Sequence, residues 1–502
     1  MIRNNSVSIG KARSHLKTWS PDLSAADVPD KDLQASEISL NETVTRPKTH
    51  HRKSSRSIHY DKHLVETKPS LLTQHLSLDS PFFGIYTLAW MIIFMIAVHT
   101  FVDNYATKGY VTTFNVVRIL NSRLALVAFA DLLMYASTYV TFLIHLLVYK
   151  GYISWNWLGI VLQNIWQAVF LGISNYIPIY FDFPWTGRVF IVLHSIVLLM
   201  KQYSYAFYSG YLSETLKSLK QCQELKTKSE KELQSLSLTP KEVHDTIADL
   251  TASLKSYSGS VVYPDNVTLS NFFMFSMYPT VVYYLEYPRT KKINWNQVFL
   301  RVLATFGVMG LMIFVAEESM YDNIVKMTHI ANEPLMYRIK MYPILLIEIV
   351  PSFAIQYLLS FYIIWEAILN AVAELTRFAD RRFYGYWWNS VSWDEFARNW
   401  NVPVHLFLLR HVYHSSISVM NVSKQTATLM TFFLSSCIHE LVMFVIFQRV
   451  RGYLLILQMT QLPLVALSRT KFMKDKKILG NIIFWLGIFT GPSLMCTMYL
   501  TF

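Results

Sequence analysis

The stretch TATLMTFFLSSCIHELVMFVIF, residues 426–447, decides how the chain folds. It is long and apolar enough to cross the ~30 Å hydrocarbon core of a bilayer as one helix, yet it carries His439 and Glu440. Ionisable side chains at membrane depth are costly and usually face a bundle interior or a watery cavity. His439 is therefore the leading candidate for a catalytic residue. The alternative is a histidine satisfied by a neighbouring helix.

The composition places this stretch in a membrane protein. Of 502 residues, 53% are hydrophobic and 15% are aromatic, which is more apolar surface than a soluble domain of this size can bury. The formal charge of +12 does not indicate nucleic-acid binding, because the basic residues stand in loops beside apolar segments, where they set topology. Cys222, Cys437 and Cys496 form neither a disulfide framework nor a metal-binding pattern. We predict no nucleic-acid partner, metal or redox cofactor.

The chain divides into a polar tail and one membrane domain. Residues 1–80 lack the apolar content to form a core and predict a disordered cytosolic tail, and residues 81–502 form an all-α, polytopic domain. No apolar run precedes Pro81, so the first span itself should direct insertion. The eighth span is short and broken by Pro463, which is compatible with a re-entrant piece. The nine predicted spans are 82–102, 124–149, 157–181, 188–208, 298–317, 343–373, 426–448, 453–468 and 480–501.

Loop charges test the topology. A cytosolic N-terminus and nine crossings place Phe502 in the lumen and three loops in the cytosol, namely 209–297, 374–425 and 469–479. The first and last of these loops are rich in lysine, as the positive-inside rule requires, whereas Lys326, Arg338 and Lys340 fall in a loop assigned to the lumen. On this topology we expect no glycosylation at the four sequons, Asn4, Asn41, Asn266 and Asn421.

The long loop 209–262 predicts a cytosolic helical linker. Its leucines recur amid charged residues, which is typical of soluble helix. A second helix should start at Thr239, with Pro240 in its first position and Glu242 completing a capping box. We expect a solvated hairpin, and the alternative is a coiled coil that binds a partner.

Three polar residues end the sixth span. Glu366, Asn370 and Glu374 are four residues apart and share one helical face. They could line a polar tunnel or equally join helices to one another.

The segment RFYGYWWNSVSWDEFARNWNVPVH, residues 382–405, is aromatic, flanked by arginines and typical of an interfacial helix. With the later intramembrane histidine, it resembles the sterol O-acyltransferase branch of the membrane-bound O-acyltransferases, which carry FYxDWWN, then a WN pair, then a histidine in an apolar helix. FADRRFYGYWWN, NWNVPVHLFLLRHVYHSS and FFLSSCIHEL are most similar to the fungal ergosterol-esterifying enzymes. The matching residues are Phe383, Tyr384, Trp387, Trp388, Asn389, Trp400, Asn401 and His439.

The resemblance implies an activity and its substrates. It implies transfer of a long-chain fatty acyl group from acyl-CoA to the 3-hydroxyl of a sterol in the endoplasmic reticulum, by a homodimer or tetramer. Acyl-CoA is then a substrate, and no cofactor is implied. Carried over residue by residue, acyl-CoA contacts fall on Arg398, Trp400, His405, Tyr413, Lys424 and Ser435. The family's aspartate is Tyr386 here, so a carboxylate is replaced by a phenol that is neutral at pH 7.

The chemistry of ester formation assigns the roles. The reaction needs a base for the hydroxyl proton, polarisation of the thioester carbonyl and exclusion of water. A buried neutral imidazole at His439 can act as the base, and the amide of Asn401 can orient a carbonyl or hydroxyl unless it is only a helix cap. Ser435, one turn earlier, could instead pair with His439 as a nucleophile, although back-bonding to its own helix is commoner. Two further functions stay open: a diacylglycerol O-acyltransferase, and a lipid-binding or regulatory protein without turnover.

Overall fold

We describe the protein from a computed structural model, which defines residues 68–72, 80–81, 83–235, 238–474 and 476–502. Most of the predicted tail, 1–80, lies outside these described residues. In chain order the helices are α1 (Phe83–Lys108), α2 (Asn115–Asn121), α3 (Leu124–Tyr149), α4 (Trp155–Tyr180), α5 (Trp185–Lys226), α6 (Glu230–Ser235), α7 (Pro240–Ser253), α8 (Leu269–Met277), α9 (Trp295–Ile330), α10 (Leu335–Leu375), α11 (Trp393–Trp400), α12 (402–420), α13 (Lys424–Phe447), α14 (Tyr453–Ser468), α15 (Lys471–Lys474) and α16 (Lys477–Thr501).

Eight of these helices, α1, α3, α4, α5, α9, α10, α13 and α16, are long and apolar enough to cross a membrane. The predicted all-α, polytopic fold is confirmed, since extended pairing within the described chain is limited to isolated bridges. The predicted eighth span, 453–468, is α14, which consists of two short helices of 7 and 8 residues. It is shorter than a full membrane-crossing helix, as the proline in its sequence suggested.

α14 nevertheless returns the chain across the bundle. At its start, the Glu440 carboxylate of α13 accepts hydrogen bonds from the amides of Gly452 (2.7 Å) and Leu455 (3.2 Å). Just beyond its last residue, Arg469 pairs with Asp394 of α11 at 3.1 Å. Because α13 and α11 hold opposite ends of α14, the predicted eighth span runs back along the bundle as a broken helix.

The contacts of α16 define the two ends of the bundle. Near its start, Asn481 donates a hydrogen bond to the carbonyl of Trp388 at 3.1 Å. Its last residue, Thr501, accepts one from Arg338 at the start of α10, at 3.2 Å. We call the end that carries residues 374–423 the motif end, and the other the distal end. Phe502 therefore lies at the distal end.

The predicted linker is helical but is less solvated than expected. α5 continues for 42 residues without a break, and its last turns pack along α7, so the two helices form the predicted hairpin. An apolar seam between them joins the main core, because the leucines that alternate with charged residues turn inward together. The buried residues of this seam are Leu219, Cys222, Leu225, Val243 and Leu250.

The largest hydrophobic cluster lies at the motif end and is rich in aromatic rings. Tyr205 of α5, Tyr283, and Trp387 of the motif are almost completely buried within it. Many ring pairs there meet edge to face, for example Phe361 with Trp387 at 5.0 Å between centroids, an arrangement that aromatic pairs prefer. This core fixes residues 383–400 against α5 and α10.

Candidate active site

His439 projects from a face of α13 that is distinct from the lipid-facing side. Phe432, Ser435 and His439 fall on one helical face, and the first two are half-buried. Phe433 and Leu434, more than 100° around the helix, are 52% and 43% exposed. The His439 side chain is itself exposed, so its ring is open to contact with a substrate. The alternative of a histidine satisfied by a neighbouring helix is not what the structure shows.

The hydrogen bond made by the His439 ring fixes its tautomer. Nδ1 lies 2.8 Å from the main-chain carbonyl oxygen of Ser435, one turn earlier. A carbonyl oxygen can only accept, so Nδ1 carries the proton and the neutral ring has its lone pair on Nε2. Nε2 makes no hydrogen bond with another described residue. The ring therefore presents a free acceptor nitrogen.

The same contact does not support a role for Ser435 as a nucleophile. Ser435 meets His439 through its carbonyl and not through its hydroxyl. A nucleophilic pair requires a hydroxyl-to-imidazole hydrogen bond, and the described residues contain none between these two side chains. Ser436, the next residue, back-bonds to Phe432 through its hydroxyl at 2.8 Å.

Glu440 joins helices, a role that the sequence analysis did not distinguish from that of His439. Its carboxylate is buried and accepts from Tyr499 Oη at 2.6 Å as well as from the amides of Gly452 and Leu455. A buried carboxylate with this many donors is fully solvated by the protein. Glu440 thus joins α13, α14 and α16, while His439 keeps a free nitrogen.

Asn401 is a helix cap, and half of its amide remains available. It is the N-cap of α12, and its Oδ1 accepts from the amide of Val404 at 3.3 Å. Since the oxygen is used in this way, the NH₂ group is the part of the side chain that can meet a substrate. The described residues include no hydrogen bond between Asn401 and His439.

Main-chain hydrogen bonds attach the FYxxWWN segment to both sides of Asn401. The amide of Gly385 donates to the carbonyl of Asn399 at 2.7 Å, and the amide of Val402 donates to that of Phe383 at 3.0 Å. Gly385 has no room for a side chain, because a Cβ there would lie 2.4 Å from the Asn399 amide oxygen. The motif therefore acts as a platform that holds Asn401 in place.

The rings of the motif lie in the core. Phe383, Tyr384 and Trp387 are buried, Trp388 is half-buried and Asn389 is exposed. Trp400 is half-buried and stacks on Tyr357 of α10, with centroids 4.8 Å apart and planes at 12°. This stacking packs the platform against α10, and the acyl-CoA contact that the resemblance implies for Trp400 stays a prediction.

Tyr386 stands where the family has aspartate. Its half-buried ring meets Trp388 edge to face, with centroids 5.8 Å apart. The nearby carboxylates have partners of their own: Glu395 caps Val391 at 2.9 Å, and Asp394 pairs with arginines. The phenol at position 386 is thus packed within the aromatic segment without displacing it.

Arg398 and His405 lie close together, as the resemblance implied. Arg398 pairs with Asp394 at 3.1 Å. Burial first, and then the nearby Arg398 guanidinium, lower the pKa of His405 to about 4, so its ring is neutral at pH 7. For Asp394, burial alone would raise the pKa, but hydrogen bonds from Ser392 and the arginines hold it below its usual value.

Tyr413 lies within α12, two turns before its end, and Lys424 begins α13. Tyr413 is half-buried and packs edge to face on His414. Lys424 is exposed at the first position of α13, where plain solvation of the cation remains an adequate explanation. No described contact joins these two side chains to Arg398 or His405.

The polar residues at the end of α10 connect helices. The Glu366 carboxylate is buried and pairs with Arg301 of α9 at 2.6 Å. Glu374 accepts from the amide of Asn294 at 2.7 Å and also pairs with Arg381. Asn370 donates to carbonyls of its own helix. Of the two alternatives that the sequence left open, the structure favours joining of helices over a polar tunnel.

Two buried polar residues of α5 position the site and were missed by the sequence analysis. Ser204 Oγ lies 2.8 Å from His411 Nε2 of α12 and accepts from the amide of Tyr283 at 2.8 Å. Lys201 Nζ donates to carbonyls at the end of α8, including that of Ser276 at 2.9 Å. A lysine within an apolar span was the available signal, since such a residue needs buried acceptors.

These features define a class: a polytopic helical membrane protein in which an accessible histidine lies on an apolar helix and an aromatic platform holds an asparagine. The family model for MBOAT, the membrane-bound O-acyltransferase family, matches residues 170–501. The chain belongs to the membrane-bound O-acyltransferase family, and the resemblance noted in the sequence is confirmed.

Fungal relatives match most of the chain. It is 43% identical over 458 residues to sterol O-acyltransferase 2 of Candida albicans, covering 84% of this chain and 75% of the relative. With sterol O-acyltransferase 2 of Saccharomyces cerevisiae the identity is 41% over 493 residues, or 94% of this chain and 76% of the relative. Diacylglycerol O-acyltransferase 1 of Dictyostelium discoideum is 34% identical over 242 residues, 47% of this chain and 38% of the relative. The similarity to sterol acyltransferases is thus the more extensive.

Proposed function

We propose that this protein transfers a long-chain fatty acyl group from acyl-CoA to the 3-hydroxyl of a sterol, with ergosterol as the first candidate, and so forms steryl esters. The observation that carries the proposal is the free Nε2 of His439 on an inward face of a family member that matches sterol acyltransferases along most of its length. The diacylglycerol alternative has the weaker support, because that relative matches only 47% of the chain.

Direct transfer follows from the orientation of the His439 ring. Nε2 accepts the proton of the sterol hydroxyl as the oxygen attacks the thioester carbonyl carbon. The tetrahedral intermediate collapses, the carbon–sulfur bond breaks, and the proton on His439 passes to the departing CoA sulfur. Protons balance over one turnover, so His439 returns to the neutral form.

Asn401 contributes a hydrogen-bond donor. Its oxygen caps α12, so the NH₂ group is what can reach the thioester carbonyl oxygen, where negative charge develops. Donors that stabilise such an oxyanion typically contribute about 10²–10³ in rate. We therefore propose that Asn401 orients the thioester carbonyl.

Acyl-CoA is proposed to enter from the motif end. Arg398 supplies positive charge for the CoA phosphates, and neutral His405 beside it supplies a hydrogen bond. Tyr413, Lys424 and Ser435 then lie along the path toward His439. Membrane lipid surrounds the bundle, and the endoplasmic reticulum is the proposed location, with the motif end in the cytosol, the C-terminus in the lumen and a homodimer or tetramer as the assembly.

An acyl-transfer assay tests the function. Microsomes that contain wild-type protein or His439→Ala receive labelled oleoyl-CoA with either ergosterol or diacylglycerol, and the lipid products are separated. We expect labelled steryl ester from the wild type and a fall of at least about 100-fold in the variant. Phe433→Ala, which trims the lipid-facing side of the same helix, is the matched control and should keep wild-type activity.

Each other outcome selects an alternative. Labelled triacylglycerol in place of steryl ester would identify a diacylglycerol acyltransferase. Equal ester yield from wild type and a stably expressed His439→Ala would indicate a lipid-binding or regulatory protein without turnover, which the Tyr386 departure made conceivable.

A further inference from the structure

The 68–72 segment, Lys68–Leu72, lies against the platform that holds Asn401. The amide of Lys68 donates to the carbonyl of Ala379 at 3.2 Å, and the amide of Arg381 donates to the carbonyl of Lys68 at 2.9 Å. These bonds form a short parallel bridge. The segment falls within the region that the sequence assigned to the tail, yet it is docked beside the FYxxWWN motif.

Ser70 is the central contact of this segment. Its side chain is 1% exposed, and its hydroxyl lies 3.0 Å and 2.8 Å from the two carboxylate oxygens of Glu366. The same carboxylate pairs with Arg301 at 2.6 Å, so it is the charged, accepting form. A hydrogen bond to a buried charged acceptor is stronger than one between neutral groups.

Tyr384 connects this cluster to the motif. Its hydroxyl donates to Glu366 at 2.7 Å and accepts from the amide of Leu72 at 3.3 Å. Burial first, and then the Glu366 carboxylate, raise the pKa of Tyr384, so the phenol stays protonated and keeps donating. Ser70 and Tyr384 therefore share one acceptor, and Leu72 closes the arrangement.

Main-chain hydrogen bonds link the position of Tyr384 to that of Asn401. Tyr384 lies between Phe383 and Gly385, whose main chains pair with Val402 and Asn399 on either side of Asn401. A change in the position of Tyr384 must therefore move the residues adjacent to Asn401. Because a close-packed protein interior is nearly incompressible and transmits strain, even a small displacement of Tyr384 would misplace the amide donor of Asn401.

We propose that Ser70 is a positioning residue for acyl transfer: by bonding to Glu366 together with Tyr384, it docks the 68–72 segment and thereby sets the position of Asn401. The inference rests on the proposed function for its readout. It also gives the N-terminal region a defined part in the active site, because docking of five residues completes the support of the platform.

Steady-state kinetics of Ser70 variants test the inference on the full chain. Ser70→Ala should lower kcat about tenfold, because misplacement of a catalytic group costs rate, while KM for acyl-CoA and the thermal midpoint of the helical bundle stay near their wild-type values. Ser70→Asp should lower kcat further, because two carboxylates would meet at the Glu366 site. Ser195→Ala removes an equally buried hydroxyl that bonds only to its own helix and should leave kcat unchanged.

A double-mutant cycle separates positioning from general packing. If Ser70 acts through the acceptor it shares with Tyr384, then Ser70→Ala should have little further effect in a Tyr384→Phe background. Fully additive losses would overturn the coupling, and wild-type kcat in both Ser70→Ala and Ser70→Asp would overturn the inference. Failure of the wild type to form steryl ester would instead count against the proposed function.

Discussion

Asn401 and His439 each use one polar atom of the side chain in a hydrogen bond to the main chain. Each makes one hydrogen bond to the main chain, Asn401 as a cap and His439 through Nδ1. In both cases this bond leaves one defined group: a donor on Asn401 and an acceptor on His439. Local hydrogen bonds that look merely structural therefore select the group that each side chain can offer to a substrate.

His405 gives a pH prediction at the residue scale. Its pKa in the folded protein, about 4, lies below the ordinary 6.5, so the ring is already neutral near pH 6 and stays neutral at higher pH. We expect titration of His405 to cause no change in KM for acyl-CoA between about pH 6 and pH 8, and the KM of His405→Gln to vary with pH in the same way as that of the wild type. A KM that rises through pH 6.5 only in the wild type would contradict this.

The same shift sets the direction of the stability effect. Between pH 6.5 and about 4 the unfolded chain binds a proton at position 405 that the folded chain resists. The contribution of neutral His405 is therefore fully present above the unfolded pKa and is lost progressively as pH falls through this window. Thermal midpoints of wild type and His405→Gln, compared from neutral to acidic pH, should diverge in the direction of greater acid sensitivity for the wild type.

At the scale of elements, Glu440 explains how a helix pair too short to span alone is held in place. α14 begins inside the bundle, where its first amides would lack partners, and the Glu440 carboxylate of α13 accepts from them. Tyr499 of α16 donates to the same carboxylate. One side chain thus attaches α14 to both neighbouring helices.

Glu440→Gln should therefore act on stability more than on chemistry. The amide keeps one oxygen but turns an NH₂ group toward donors, and an unsatisfied buried donor costs about 1–3 kcal/mol. We expect a lower thermal midpoint in detergent with residual acyl transfer. Thr431→Ala, which removes a hydroxyl bonded only to Ala427, serves as the control. Complete loss of transfer at an unchanged midpoint would assign Glu440 a chemical role instead.

A second prediction at the scale of elements concerns the N-terminus of α7. The predicted capping box is confirmed: Thr239 Oγ1 accepts from the amide of Glu242, and the Glu242 carboxylate accepts from the amide of Thr239, each at 3.2 Å. Thr239→Ala should destabilise α7 by about 1 kcal/mol and leave acyl transfer intact, because α7 packs on the far end of α5. Local protease sensitivity of α7 in wild type and Thr239→Ala, beside the Thr239→Ser control, measures the effect.

At the scale of the whole molecule, the broken α14 carries the chain back between α13 and α16. With α14 counted as a pass, the N-terminal end of α1 and Phe502 lie at opposite ends of the bundle, although eight helices alone meet the length criterion. Two hydrogen bonds mark these ends: one joins Asn481 to Trp388 at the motif end, and the other joins Arg338 to Thr501 at the distal end. The contacts of α14, and not its length, therefore show that it connects the two ends of the bundle.

A glycosylation tag tests the proposed orientation. A sequon appended through a short polar spacer after Phe502 should be glycosylated in microsomes, because we place the distal end in the lumen. The exposed native sequon at Asn421 should remain unmodified, and Asn421→Gln should cause no gel shift. Asn266 is buried and donates to Tyr283 at 2.9 Å, so it could not carry a glycan in the folded protein on either side. A glycan on Asn421 together with an unmodified tag would reverse the orientation.

Much of the fold followed from periodic and apolar patterns, while the details of the site did not. Span positions, the Thr239 cap and the resemblance carried by Phe383–His439 were readable because each depends on residues close in sequence or on long apolar runs. The division of roles between His439 and Glu440 was not, because the partners of Glu440 come from α14 and α16. Ser70 escaped prediction for the same reason: its acceptor, Glu366, lies almost three hundred residues away.

The amino-acid sequence by itself determined a helical membrane protein, its family and the identity of an imidazole within a span. These depend on hydropathy and on local motifs, which act over a few helical turns. Hydrogen bonds within one helical turn leave Nε2 of His439 and the NH₂ group of Asn401 free. Tertiary structure alone decided which polar residues join helices and that Ser70 docks on Glu366. These tertiary contacts depend on hydrogen bonds between side chains and distant segments, whose geometry exists only once the helices have packed.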